Sequence, residues 1–177
     1  MFMRSAFPPA LRALAVVALL AAGGTAHADD YADVAKLVRD GKTAEAMAHA
    51  DKYLATNQRD PQMRFLKGTA QAAAGQSADA IATFTLLTEE YPELPEPYNN
   101  LAVLYASQSR LDQARAALET AVRNNPNYAV AHENLGDIYT RQAEQAYARS
   151  LQLAGNNNAL RLKLSTLRGV LQAAASK

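Results

Sequence analysis

The chain has 177 residues, which is enough for one globular domain or for a short array of small units. Nearly half of the residues are hydrophobic and the net charge is +1. This balance argues against a disordered chain and against a nucleic-acid binder that relies on a general positive field. The absence of cysteine excludes disulfides, thiolate catalysis, iron–sulfur clusters and cysteine zinc sites.

Residues 1–28 are predicted to be a cleavable secretory signal peptide. Arg4 and Arg12 supply positive charge, an uncharged apolar run covers 13–22, and the triplet Ala-His-Ala ends at Ala28 as a cleavage site. The run is shorter than the about 20 apolar residues that span a bilayer. The alternative is a short membrane anchor that stays uncleaved. Cleavage after Ala28 predicts a bacterial periplasmic protein.

The rest of the chain repeats every 34 residues. Several unrelated columns share this period, which chance rarely produces. In each unit, apolar residues spaced three and four apart predict two helices, separated by a short turn. Small residues where the two helices cross allow their axes to approach closely, so the pattern predicts helix hairpins. The repeated columns include Ala46, Ala80 and Ala114; Gly68, Ala102 and Gly136; and Pro92 and Pro126.

This pattern resembles that of tetratricopeptide repeat proteins, W-x2-L-G-x2-Y followed by A-x3-F and P. The resemblance covers about residues 30–155 and implies an all-α fold, an α-solenoid of about four helix hairpins over 29–155. The first unit is degenerate. The matching segments are Tyr98-x2-Leu101-Ala102-x2-Tyr105, Ala114-x3-Leu118 and Pro126 in the third unit, and His132-x2-Leu135-Gly136-x2-Tyr139 in the fourth.

The fourth unit lacks five residues between its two predicted helices. Nine positions lead from Tyr105 to Ala114 in the third unit, but only four lead from Tyr139 to Ala143 in the fourth. No Gly, Pro or Asn interrupts the chain there. We expect the two helices to be fused into one over 129–153. The alternative is a tight two-residue turn near Arg141.

Residues 156–177 are predicted to form an amphipathic capping helix that covers the last hydrophobic face of the array. One alternative is a basic helix that lies on an anionic membrane, since no acid follows Glu144. Another is a helix that binds a partner or a second copy. The apolar stripe consists of Leu160, Leu164, Leu167 and Leu171, and the basic residues are Arg161, Lys163, Arg168 and Lys177.

The sequence offers no constellation for catalysis, and no cofactor or metal is expected. The common hydrolase, zinc-protease and phosphate-loop motifs are missing. His132 occupies the bulky first place of the repeat, which favours a packing role, and His49 is expected alone on an exposed helix face. The acidic clusters near Asp30 and Glu90 are interpreted as solvated helix ends. These features predict a binding protein that is not an enzyme and takes no nucleic acid.

The resemblance implies that the first helices of successive units line a concave groove that receives a peptide or a partner helix. Asn100 and Asn134 are equivalent in the repeat, and an amide can both donate to and accept from a peptide backbone. The alternative is that asparagine serves local structure at this position. The candidate groove residues are Phe65, Thr69, Asn99, Asn100, Val103, Glu133, Asn134 and Asp137.

The charges of the candidate groove residues indicate which segment would bind. Glu96, Glu133 and Asp137 are acidic, and Arg141 is the one basic exception nearby. A carboxylate tail would meet repulsion there, so we expect a neutral or basic segment. The resulting hypothesis is a scaffold or adaptor that binds proteins of the bacterial cell envelope. The alternatives are a structural protein that self-associates through its C-terminal helix and a peripheral membrane protein.

Overall fold

The computed structural model describes the backbone of residues 25–175 and the side chains of 29–153 and 155–173. Most of the predicted signal peptide therefore lies outside the described residues, and the bond after Ala28 falls within the first helix. The described residues form eight α-helices and no strand. The helices are α1 Thr25–Arg39, α2 Thr43–Leu54, α3 Pro61–Ala73, α4 Ser77–Glu90, α5 Pro95–Ser107, α6 Leu111–Asn124, α7 Ala129–Ala154 and α8 Asn158–Ala175.

Three hairpins, α1/α2, α3/α4 and α5/α6, turn through one residue with a positive φ. These residues are Gly41 (75°), Gly75 (77°) and Ser109 (60°), spaced by the sequence repeat. In each turn the next amide donates back to a carbonyl five residues earlier, as Arg110 N does to Tyr105 O at 2.9 Å. This bonding satisfies carbonyls at the helix end and reverses the chain.

The first helices of the hairpins form the inner layer of a curved stack. Contacts join α1 to α3, α3 to α5 and α5 to α7, whereas no comparably close packing joins α2 to α4 or α4 to α6 in the described part of the chain. Helices on the inside of a curve lie closer together than those on the outside. The concave side is therefore the side of α1, α3, α5 and the first half of α7.

Each hydrophobic cluster is shared between adjoining hairpins, as in a solenoid. The first joins α1 and α2 to α3, around Val34 and Met63. The second surrounds Phe84 between α3, α4 and α5. The third surrounds Leu118 and reaches Ile138 of α7. This arrangement is the predicted all-α solenoid, in which each unit is stabilised by its neighbours.

The end of the array differs from its beginning. Helix α7 runs without interruption for 26 residues, over the range for which the sequence predicts a fused helix. Helix α8 then packs back along the second half of α7. Its Leu164 is buried, Arg168 Nε donates to Glu144 Oε1 at 2.8 Å, and Lys163 lies over the Tyr147 ring. Asn157 caps α8, because its Oδ1 accepts from Leu160 N.

None of the helices in the described residues is both long enough and apolar enough to cross a membrane.

Candidate partner-binding groove

Three of the predicted groove residues present surface on the concave side. Val103 on α5 and Asp137 on α7 are half-buried, and Glu133 on α7 is exposed. Burial raises the pKa of the Asp137 carboxyl, Arg141 opposes this shift, and Glu133 adds to it. Burial lowers the pKa of the Arg141 guanidinium, and the Asp137 carboxylate opposes that shift. The two acidic side chains, with the half-buried Arg141 beside Asp137, give this end of the groove an acidic character.

The asparagines connect helices instead of facing solvent. Asn134 Nδ2 on α7 donates to Asn99 Oδ1 on α5 at 2.8 Å. Asn99 Nδ2 in turn donates to Asn100 Oδ1 at 3.5 Å. All three side chains are buried, and Asn99 and Asn100 have no exposed surface. Because a buried amide without a hydrogen bond costs free energy, the bond between Asn134 and Asn99 stabilises the contact between the two inner helices.

Phe65 and Thr69 on α3 are also buried, so a partner in the groove cannot reach them. The Phe65 ring packs against the Phe84 ring with centroids 5.7 Å apart, inside the second hydrophobic cluster. The Thr69 hydroxyl donates to Phe65 O at 2.9 Å, and its side chain has no exposed surface. The expected apolar contact from Phe65 to a ligand is therefore used within the fold.

The prediction that Phe65, Thr69, Asn99, Asn100 and Asn134 contact a partner is thus not met by this geometry. The inner helices approach so closely that residues on the border of the groove lie between helices. Helical spacing alone cannot locate this border, because it depends on the distance to the neighbouring helix. The accessible part of the predicted set is Val103, Glu133 and Asp137.

Three buried polar atoms beside the amides lack a hydrogen-bond partner among the described residues. They are Glu96 Oε2, Asn100 Nδ2 and Tyr128 Oη. Burial raises the pKa of the Tyr128 hydroxyl above its ordinary value, and the nearby Glu96 carboxylate raises it further. A buried polar atom without a partner destabilises the fold, so these three atoms lower the stability of the region around the start of α5 and α7.

Sequence reasoning missed Tyr128, although the repeat contains a signal for it. Tyr128 precedes α7 as Leu94 precedes α5 and Asp60 precedes α3, with the repeat spacing between them. Asp60 Oδ1 accepts from Met63 N and caps its helix, whereas Tyr128 makes no side-chain cap. Comparing the three equivalent positions would have identified a residue with a different environment.

His132 and His49 both differ from their predicted roles. His132 is exposed, and its Nε2 lies 2.9 Å from Pro126 O, so it closes the loop before α7 instead of packing in a core. The second helix of the fourth unit continues α7 instead of folding back, so no core forms beside His132. His49 is not alone: its Nε2 lies 3.0 Å from Asp30 Oδ1 on α1. In the described residues no group of three or more His, Asp or Glu is placed to hold a metal ion.

Two family models match separate parts of the chain. A family model described as "Tetratricopeptide repeat" matches residues 36–95, and one described as "TPR repeat" matches 104–142. The TPR repeat-containing thioredoxin TTL4 of Arabidopsis thaliana is 32% identical over 108 residues, which cover 61% of this chain. The match spans only 16% of the length of TTL4.

Two solved structures share the fold at low identity. A thermophilic TPR protein of Thermus thermophilus has a TM-score of 0.60 and 23% identity, with 80% of each chain covered. The first TPR of Spaghetti (RPAP3), solved with the HSP90 peptide SRMEEVD, has a TM-score of 0.59 and 18% identity. That match covers 64% of this chain and 90% of the other.

The two family models together cover more than half of the chain, and the helix hairpins agree with both matches. Repeats of this kind indicate a scaffold for protein–protein interaction, and the fold is generally not catalytic. This chain belongs to the tetratricopeptide repeat family.

Proposed function

We propose that this protein is a non-enzymatic adaptor of the bacterial cell envelope that binds a neutral or basic protein segment in its concave groove. The observation that carries the proposal is the acidic surface at the C-terminal end of the groove, where Glu133 is exposed and Asp137 is half-buried. Complementary charge speeds encounter with a basic partner and disfavours acidic ones. Val103, half-buried on the neighbouring helix, offers an apolar contact beside these charges.

The Spaghetti (RPAP3) structure supports the mode of binding but not the same ligand. The peptide in that structure, SRMEEVD, carries three acidic side chains. Glu133 and Asp137 would repel such a peptide, so a basic or neutral segment fits this groove better. The affinity that we expect is about 1 μM, which corresponds to roughly −8 kcal/mol.

The proposed location rests on residues 1–28 of the sequence, in which two arginines, an apolar run and an A-x-A site follow one another. Export would remove the first turn of α1, because that helix begins at Thr25. N-terminal sequencing of the protein from the periplasmic fraction should begin at Asp29. Retention of the full chain in the cytoplasm would contradict the proposed location.

The groove is tested by reversing its charge. In the variant Glu133→Lys/Asp137→Lys, both acidic groups become basic, and partners crosslinked in living cells should be lost. The matched control is Asp79→Lys/Glu89→Lys, which makes the same charge change at two exposed positions of α4, in the outer layer.

Two results distinguish groove binding from other modes. Partners captured by the wild type and the control, but lost from the groove variant, would support the proposal. An identical set of partners from all three proteins would place binding elsewhere. Circular dichroism of each variant should match the wild type, since none of the four residues has a fully buried side chain.

A further inference from the structure

The fourth unit leaves uncovered a helix face that is covered in the second and third units. In the second unit, a Cβ added to Gly68 would lie 2.8 Å from the Phe84 ring, because α4 packs tightly there. In the third unit, Ala102 at the equivalent place is buried. In the fourth, Gly136 is exposed and a Cβ added to it would meet no atom within 4 Å. We call the exposed surface of Gly136 and Tyr139 the uncovered face.

The helix that would cover this face is present in the chain but lies out of reach. Ala143-x3-Tyr147 corresponds to Ala80-x3-Phe84 in the repeat. Because α7 is continuous, Tyr147 lies about 16 Å along the helix from Gly136 at 1.5 Å per residue. The five missing residues are those that form the turn in the other units, so the segment cannot fold back without breaking α7.

The second half of α7 is also less buried than its counterparts. Ala80 and Phe84 have no exposed surface. Ala143 and Tyr147 are only half-buried, with α8 packed beside them. Tyr139 on the uncovered face is 48% exposed. Two surfaces that pack against each other in the earlier units therefore remain apart in this one.

We propose that two copies of this chain exchange these segments, with residues 143–154 of each copy packing on the uncovered face of the other. Two α7 helices placed antiparallel bring Gly136 of each chain opposite Tyr147 of the other, around a two-fold axis near Arg141. The same contact forms twice, as in an isologous dimer. Shortened connections between elements are a known route to such exchange.

The exchange needs no change in the conformation of either chain. Helix α7 is already straight through the missing turn, and α8 packs along its second half, so each copy presents a formed helix pair to the other. The dimer would complete the fourth hairpin at both ends. The inference concerns oligomeric state and does not rest on the proposed groove partner.

The first measurement is the mass of the full chain in solution by light scattering, over a dilution series. Each chain has a mass of 19.0 kDa, so the exchanged dimer should have about twice that mass. A monomer at every concentration would overturn the proposal.

The decisive variant is Gly136→Lys. The added side chain meets open space in one chain, so each chain should keep the wild-type circular dichroism spectrum, but it would collide with Tyr147 of the second copy. The expected result is a monomer. Gly169→Lys is the matched control, since Gly169 is also an exposed helical glycine with no atom near its added Cβ, and it should stay dimeric. A dimeric Gly136→Lys protein would overturn the exchange.

Restoring the turn gives an independent test. Replacing residues 140–142 with the eight residues that occupy 106–113 in the third unit supplies the five missing positions. The second half of α7 could then fold back on its own chain, and the protein should become a monomer. A dimer as stable as the wild type would contradict the proposal.

Crosslinking tests the register, because the chain has no cysteine of its own. In Gly136→Cys/Tyr147→Cys the two thiols of one chain are too far apart for a disulfide, whose Cα atoms lie within about 7 Å. Oxidation should therefore give a covalent dimer. The two single variants should stay unlinked. Failure of the double variant to crosslink would refute this register and the exchange that requires it.

Discussion

Ser109 is strained in a turn where the other units have glycine. Its φ is 60°, in the left-handed region, whereas Gly41 and Gly75 adopt similar values without a Cβ. A side chain in this region costs about 1 to 2 kcal/mol. The third unit therefore makes the same turn as the first two at a lower stability.

The change Ser109→Gly should raise the free energy of unfolding by about 0.5 to 1 kcal/mol, because the strain is partly offset by the greater freedom of glycine in the unfolded chain. Urea unfolding at fixed protein concentration measures it. The mirror variant Gly75→Ser should lose about 1 kcal/mol. A less stable Ser109→Gly protein would show that the turn carries no strain.

Asp60 joins three helices at the N-terminal end of the array. Its Oδ1 accepts from Met63 N at 2.8 Å and caps α3, and its Oδ2 accepts from the hydroxyls of Tyr31 on α1 and Tyr53 on α2. The Tyr31 and Tyr53 rings also contact each other at 5.7 Å between centroids. One carboxylate thus connects residues that are distant in the sequence.

Removing this carboxylate with Asp60→Ala should lower the free energy of unfolding by about 2 kcal/mol, through the lost cap and the loss of the hydrogen bonds from the two tyrosine hydroxyls to Asp60. Asp60→Asn retains an acceptor oxygen for the cap and should lose less. Thermal and urea unfolding measure both. A loss under about 0.5 kcal/mol in the alanine variant would rule out this role.

The buried hydroxyl of Tyr128 should make stability fall at alkaline pH. Burial and Glu96 raise its pKa in the folded chain, so the unfolded chain releases this proton first as the pH rises. The free energy of unfolding is therefore unaffected by this group below about pH 10 and decreases above it. Burial also raises the pKa of Tyr31 and Tyr53, which adds to the decrease.

The variant Tyr128→Phe should lose less stability than the wild type between about pH 9 and pH 11. At neutral pH it should be as stable or more stable by about 1 kcal/mol, since the hydroxyl has no partner among the described residues. Urea unfolding at several pH values measures both effects. A clear loss at neutral pH would mean that the hydroxyl is satisfied.

At the scale of elements, α8 packs against the last helix of the array. Leu164 of the leucine stripe is buried where α8 packs on α7. Two basic residues of α8 also contact α7: Arg168 donates to Glu144, and Lys163 lies over the Tyr147 ring. These basic groups are engaged within the chain, which favours the capping interpretation over a helix that lies on a membrane.

Substitution of two leucines of α8 tests whether this helix packs against the array. Leu164 is 6% exposed and Leu162 is 68% exposed. Leu164→Ala should cost about 2 to 3 kcal/mol, and Leu162→Ala should stay within about 0.5 kcal/mol of the wild type. Urea unfolding and hydrogen exchange of α8 measure the difference. Equal effects of the two changes would contradict docking of α8 through this stripe.

At the scale of the whole molecule, the groove combines a polar, acidic end with tightly packed inner helices. Glu133 and Asp137 would attract a partner through charges that are at least partly exposed. Salt weakens such attraction, because at 0.1 M the interaction between exposed charges is screened beyond about 10 Å. The shape of the groove is held by the buried amides and does not depend on salt.

Binding of a basic partner segment should therefore weaken as the salt concentration rises from about 0.05 to 0.5 M. Fluorescence anisotropy with a labelled basic peptide measures the dissociation constant, and the Glu133→Lys/Asp137→Lys protein should show little salt dependence. Affinity that is constant over this range would mean that apolar contacts dominate recognition.

The helices, their hairpin pairing and the missing turn were all predictable from the sequence. Helical periodicity and turn chemistry act within a few residues, so the columns around Ala114, Leu118 and Pro126 indicate their own structure. The repeat adds a comparison between units, which identified the deletion after Tyr139. The positions of Asn100 and Asn134 on their helices were also correct, but their exposure was not.

The local pattern of residues established that this chain is a helical-repeat solenoid with an irregular last unit, because each helix and turn is specified by its own neighbours in sequence. Which residues reach a partner depended on packing between helices. Asn99 and Asn134 are 35 positions apart and meet only because α5 and α7 approach closely. In the same way, the open space beside Gly136 follows from the straight path of α7, which the spacing of residues around Gly136 does not specify. Contact between distant segments is a property of three-dimensional packing, which periodicity does not encode.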